Sequence, residues 1–130
     1  MKIELHKQAY EERKDTLFKW CVEVKGIENS QRIIGDNASR AIVEMLSAYL
    51  LAEKKVEAGF QLNHAWFKSE TVMNRLPEFS EKQKIVSQMI RLEKLCEQLS
   101  YGTPKPVDTT EEVLRLFLQL EKLLLELLRW

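Results

Sequence analysis

The eighteen residues from Val113 to Trp130 include twelve apolar side chains, and few folds can accommodate a helix of that kind. At about 100° per residue, Arg115, Gln119, Lys122, Glu126 and Arg129 fall on one narrow stripe, which leaves roughly two-thirds of the circumference apolar. Such a helix needs cover on several sides, from neighbouring helices, a second copy of the chain or another protein. Glu121 breaks the pattern. It falls opposite the polar stripe, where an unpaired buried carboxylate costs several kcal/mol or is forced to protonate. Glu121 is therefore expected to pair with an Arg or Lys, or else to sit at the edge of a helix seam or a wet interface.

The remainder of the chain reads as helical too. No segment alternates with period two, and four glycines and three prolines supply the punctuation. A first helix is expected from about Ile3 to Ile27, with Tyr10, Leu17, Cys21 and Val24 on one side, Phe18 and Trp20 widening it, and Gly26 near its end. Gly35-Asp36-Asn37 offers a stop followed by a cap, after which Ala38, Ala41, Ile42, Met45, Ala48, Tyr49, Ala52 and Val56 recur every three or four residues. That second helix is expected to reach about Ala58, with Gly59 as its C-terminal stop. Asn63 caps a short third helix, Leu62 and Phe67 are placed for a hydrophobic staple, and Pro77 closes it. Ser80 with Gln83 reads as a capping box opening a fourth helix, whose seam is Ile85, Met89, Leu92, Cys96 and Leu99. Tyr101 to Pro106 breaks the helix, and Thr109 with Glu112 reads as a capping box for the fifth. The fold class is all-α: an up-and-down antiparallel bundle of four long helices plus one short helix.

A chain of 130 residues with 45% hydrophobic content suits one domain, 1–130, built on one core. Twenty basic and twenty acidic residues cancel, so no long-range field steers the chain to phosphate backbones or anionic lipid, and any nucleic-acid site must be local. Cys21 and Cys96 sit among apolar residues at helical spacing, as small buried thiols do, and a reducing cytoplasm is the expected compartment. The segment Met1 to His6 lacks the apolar run of a signal peptide. Apolar runs such as Ala48 to Ala52 fall far below the roughly 20 residues of a bilayer span, so no membrane is expected.

Chemistry is harder to find. Metal-binding bundles use Glu-x-x-His pairs, because that spacing puts both ligands on one face; Ile3 and Gln61 stand where acids would precede His6 and His64. For the acid pairs of all-helical nucleotide pyrophosphohydrolases, which hold magnesium, Glu12 with Asp15 gives one such spacing, while Glu53 with Glu57 and Glu93 with Glu97 are four apart and read as solvated faces. No phosphate loop, Cys-x-x-Cys pair or nucleophile elbow occurs. Lys54, Lys55, Lys82, Lys84, Arg91 and Lys94 are interleaved with acids and read as a mixed-charge solvated face. The densest polar and aromatic cluster is Asn63 to Lys68, where His64 beside Trp66 could stack on and hydrogen-bond to a nucleotide, or simply anchor a short helix. No metal, cofactor or catalytic set is assigned.

Ser39-Arg40-Ala41 followed by Ala48-Tyr49-Leu50-Leu51, then Gly59 with Asn63-His64, then Ser100-Tyr101-Gly102 before prolines and an acidic helix start, resemble in order the elements of the HEPN-type helical domain. That family includes substrate-binding subunits of minimal nucleotidyltransferases and toxins that cleave RNA. The resemblance runs from about Ala38 to the C-terminus. It departs from the family at the RNase motif, an arginine followed after four to six residues by histidine: Arg91 is present, but Cys96, Glu97 and Gln98 occupy the histidine positions. The resemblance thus implies a non-catalytic binding or assembly subunit with a nucleotidyltransferase partner and a nucleotide or RNA as ligand, and the broad apolar face of Val113 to Trp130 adds the expectation of a homodimer through the last helices. Arg40, His64, Trp66, Arg91 and Tyr101 are the ligand-binding candidates. Two alternatives stay open: an RNase or nucleotide-processing enzyme with a non-standard site, which requires His64, Tyr101, Arg91 and Arg40 to converge in one cleft, and a purely structural interaction module.

Overall fold

In a computed structural model describing residues 2–130, the chain opens with helix α1 (Ile3–Asp15), which continues directly into a π-helical stretch, Thr16–Lys25. At the junction the Thr16 hydroxyl donates to the Glu12 carbonyl at 3.0 Å, competing for an acceptor of the helical ladder. The wider turns have a consequence for packing. An α-helical count puts Val24 within about 20° of Leu17, whereas turns of about 4.4 residues carry it to the far side. His6, Tyr10, Leu17 and Cys21 are accordingly buried, while Val24 is 68% and Trp20 48% exposed, contrary to the expected core face. Gly26, with φ +87, ends the stretch.

Helix α2 (Gln31–Ala52) runs straight through the expected stop at Gly35. The glycine serves packing there instead of termination: a Cβ on Gly35 would lie 2.7 Å from the Cys96 carbonyl oxygen and 3.0 Å from Leu99 Cβ. Nor does α2 reach Ala58. It closes at Ala52 in a Schellman motif, with Lys54 at φ +55 and the amides of Lys54 and Lys55 donating to the Leu51 and Leu50 carbonyls at 3.1 and 2.8 Å. Gly59 plays no part in that stop and lies in open space.

The short third helix is two pieces, a 3₁₀ turn, His64–Lys68, and a single turn, α3 (Val72–Arg75), just before Pro77. Asn63 does cap the turn, accepting from the Ala65 amide at 2.8 Å. Helices α4 (Lys82–Ser100) and α5 (Val107–Leu128) are connected by the proline-containing loop. Neither expected capping box forms. Glu81 precedes α4 in a left-handed conformation without a side-chain cap, and Pro106 precedes α5, while Glu112 is drawn instead to Arg91 and Arg115. Lys82, expected on a solvated face, is buried and donates to the Leu76 carbonyl at 2.9 Å.

Helices that follow one another around the bundle run antiparallel. Arg13–Asn37 and His6–Glu44 join α1 to α2, Ser39–Glu93 and the Tyr49–Phe79 rings align α2 with α4 and its approach, and Arg91–Glu112 joins α4 to α5. Phe18 meets Phe117, and Tyr10 with Lys14 meets Glu121, closing α1 onto α5. This is the expected all-α, up-and-down bundle, and no strand occurs among the described residues. Helix α2 also touches α5 across the diagonal, so those two form the middle of a flattened bundle. Thirteen of the 22 residues of α2 are buried, against eight of 22 in α5, which makes α2 the central rod. The α4 seam Ile85, Met89, Leu92, Cys96 and Leu99 is buried throughout. On α5 the polar stripe faces solvent, and Leu118 is 46% exposed. Glu121 finds the cation anticipated for it, Lys14 Nζ at 2.8 Å, together with the Tyr10 hydroxyl. Burial and that carboxylate push the Tyr10 phenol well above its usual range.

Candidate functional site

Close approach at Gly35 has a chemical consequence one turn further on. Because α2 lies so near α4 there, Ser39 can donate to Glu93 Oε1 at 2.7 Å across the interface. Glu93 is only 3% exposed, so this carboxylate is buried where the sequence pattern placed it on a solvated face. Its second partner comes from the 3₁₀ turn. The Asn63 cap and the fully buried Phe67 fix that turn against the bundle, which brings His64 Nδ1 to 3.1 and 3.3 Å from the two Glu93 oxygens. A carboxylate accepts, so Nδ1 carries the hydrogen and Nε2 is the ring nitrogen left for other partners.

Two cavities meet at this cluster, and both are lined by Arg40 and His64. The first is small, about 30 Å³, between α2 and α4, and is walled by Asp36, Ser39, Glu93 and Tyr101 among others; it has room for little more than an ordered water. Cys96 also borders it, but burial pushes that thiol up to about 12, so it stays protonated and unreactive at neutral pH. The second is an open groove of about 510 Å³ that adds Arg13, Glu44, Asn63 and Trp66, a volume within the range of small-molecule sites.

The arginines of the groove are unusual in their company. Arg13 is held by a neutral group, donating to Asn37 Oδ1 at 2.9 Å, and its guanidinium is pushed below its ordinary range by burial and then by the nearby charge of Arg40. Arg40 is exposed and makes no hydrogen bond or ion pair with the described residues. Glu44, the carboxylate of the groove, is engaged at 2.6 Å by His6 Nδ1. Two guanidinium groups thus share one rim without a dedicated acid, an arrangement suited to an anion from outside.

Of the five residues singled out from sequence, the fold brings together Arg40 and His64 at both cavities, Trp66 at the groove and Tyr101 at the mouth of the small cavity. Tyr101 is 68% exposed. Trp66 is less available for stacking than its sequence context implies, since the Arg75 guanidinium covers its ring at 3.7 Å and Phe60 meets it edge-on. Arg91 lines neither cavity and binds Glu112 at 2.8 Å on the surface. Sequence reasoning missed Arg13, Ser39 and Glu93. A signal existed for two of them: Ser39 stands one turn after Gly35 on the same face, and Glu93 flanks the apolar seam between Leu92 and Cys96.

Among the described residues no group of three or more His, Cys, Asp or Glu side chains is arranged to hold a metal ion, and no helix is long and apolar enough to cross a membrane. The chain matches no protein-family model, no curated protein and no solved structure.

Proposed function

We propose that the protein is a binding subunit that holds a phosphate-bearing ligand, a nucleotide, in the groove between α1, α2 and the 3₁₀ turn. The observation that carries this reading is Arg40, exposed and unpartnered beside the half-buried Arg13. Phosphate oxygens supply the acceptor that Arg40 lacks and an anionic partner for Arg13, whose hydrogen bond goes to the neutral Asn37, and Asn63 and His64 line the same groove to contact the rest of the molecule. This extends the HEPN-like reading, in which a bundle without the RNase pair serves a separate nucleotidyltransferase chain as its substrate-binding partner. Self-association through the last helices belongs to the same proposal, supported by Leu118 in solvent and by the partial exposure of Leu123, Leu125, Leu127 and Leu128.

Titration calorimetry with ATP and AMP tests the ligand. Arg40→Ala is expected to weaken binding at least about tenfold, the scale of one charge-assisted hydrogen bond. Absence of binding by nucleotides and by inorganic phosphate alike refutes the reading. Sedimentation across micromolar concentrations tests the dimer, which a monomer throughout refutes.

The Glu93–His64 pair favours one second reading, in which His64 Nε2 acts as a general base on a bound nucleotide. It predicts turnover of a nucleotide or RNA substrate by the parent protein that disappears in His64→Gln even at saturating substrate.

A further inference from the structure

The groove carries two formal positive charges on Arg13 and Arg40, and two carboxylates stand next to them, Glu44 on its wall and Glu93 beneath His64. With His64 neutral these four charges balance, Asp36 on the small-cavity side adds a further negative charge, and an incoming anion gains little. Protonation of His64 offsets Glu93, so that the two arginines outweigh Glu44, the remaining carboxylate of the groove, and the ring gains a second N–H to donate. We propose that the groove is a proton-coupled site for dianionic oxyanions such as a terminal phosphate, which it binds together with one proton on His64. The inference rests on the phosphate-binding reading above and names the charge state that the site requires of its ligand and of itself.

Of the other groups facing His64, Asp36 keeps its negative charge and the rest are paired or neutral. From α2, Asp36 accepts from the Ser100 hydroxyl at 2.9 Å on the small-cavity side. Glu97 of α4 pairs at 3.9 Å with Lys68 of the turn, so these charges cancel near the imidazole. Tyr101, in the loop after α4, and Cys96 are ordinarily neutral at neutral pH. From α1 and α2, His6 and Glu44 form the one other histidine–carboxylate contact, and it differs in a way that gives an internal control. His6 is 7% exposed and its Nε2 is buried without a partner. Protonating His6 would strand a buried N–H, whereas the His64 side chain is 31% exposed and borders the groove. The proton is therefore taken up at His64.

Sulfate is the probe that isolates the protein's contribution, because it is a dianion throughout the range in which histidines titrate. Its affinity, measured by calorimetry or NMR between pH 6 and 8, is expected to fall at least about tenfold across that range, with a limiting slope of about tenfold per pH unit for one linked proton. Buffers of different ionisation heat are expected to report uptake of up to one proton on binding. His64→Gln keeps a donor for Glu93 and should bind sulfate weakly at every pH, with the slope gone, whereas His6→Gln should retain it. In the unmodified protein, saturating sulfate should raise the titration midpoint of the His64 ring and leave His6 unmoved, a reading that needs no variant to fold. Sulfate binding of pH-independent affinity, or a slope that survives His64→Gln, overturns the proton coupling while leaving the anion site standing. Failure of sulfate to bind even at pH 6 overturns the proton-coupled oxyanion site, and failure of nucleotides and inorganic phosphate as well overturns the binding reading beneath it.

Discussion

Replacing Gly35 by alanine tests the crossing that builds the site. On propensity alone the change favours folding, since glycine in a helix interior costs about 1 kcal/mol relative to alanine. The surroundings oppose it. The new Cβ meets the Cys96 carbonyl oxygen at 2.7 Å, Ser100 Oγ at 2.7 Å and Leu99 Cβ at 3.0 Å. Only the serine hydroxyl can rotate away, and it does so by giving up its bond to Asp36, a loss of about 1 kcal/mol. The other two atoms are fixed to the α4 backbone, so α2 and α4 must separate, and overpacking of this kind typically costs about 1–3 kcal/mol. The balance is a net loss of about 1–3 kcal/mol, or a fall in Tm of several degrees for a chain of this size. Urea unfolding followed by circular dichroism measures it, with Gly59→Ala as the comparator, because nothing lies within 4 Å of a Cβ at Gly59 and its change should stay within about 0.5 kcal/mol. A Gly35→Ala protein as stable as the parent, or more so, would refute close packing at the crossing.

Two further outcomes follow from buried groups of the core. Glu121→Ala leaves the Tyr10 hydroxyl buried without its acceptor and should cost about 1–3 kcal/mol; Lys14, 39% exposed, can turn to water and adds little. Adding Tyr10→Phe should recover much of that loss in a double-mutant cycle, and purely additive losses would refute the coupling. Alkaline pH should destabilise the fold. Cys96 is held at about 12 in the folded chain and near 8.5 when unfolded, so between those values the folded state retains a proton that the unfolded state has released. Stability is full below about pH 8.5 and falls by up to about 1.4 kcal/mol per unit above it, with Tyr10 adding to the slope beyond pH 10. Cys96→Ala should reduce the slope between pH 8.5 and 10, as read from denaturant midpoints, the remainder coming from Cys21, whose thiol burial also raises.

The helices themselves were legible because apolar spacing is a local property. The α4 seam and the polar stripe of α5 could be read residue by residue, and the cation beside Glu121 could be anticipated because a buried carboxylate without one is too costly. The errors cluster where a residue has two uses. Gly35 reads as a stop, since glycine ends helices, but equally permits two backbones to touch, and only the presence of α4 decides between them. Lys54 occupies the left-handed position usually given to glycine, so Gly59 is a misleading marker. Ser80 with Gln83 and Thr109 with Glu112 have the spacing of capping boxes, yet Glu112 is better satisfied by two arginines. On α1, the π-helical turns alter the period on which the assignment of Val24 depended.

The candidate site was half visible. His64 and Trp66 stand out in the densest polar and aromatic cluster, and Arg40 and Tyr101 in the segments that carry the family resemblance. Arg13, Ser39 and Glu93 do not, because their roles come from side chains 24 to 54 positions away in the chain.

The order of hydrophobic and polar residues along the chain determined by itself that this protein is helical, where most helices lie and which face of each is apolar, since those properties are set by neighbours within a turn or two. Which helix occupies the centre, whether Glu93 is buried, and that two arginines share a rim with His64 were decided only when α1, α2, α4 and the 3₁₀ turn packed together. Burial and electrostatics depend on distance in space, and distance along the chain says little about it until the bundle closes.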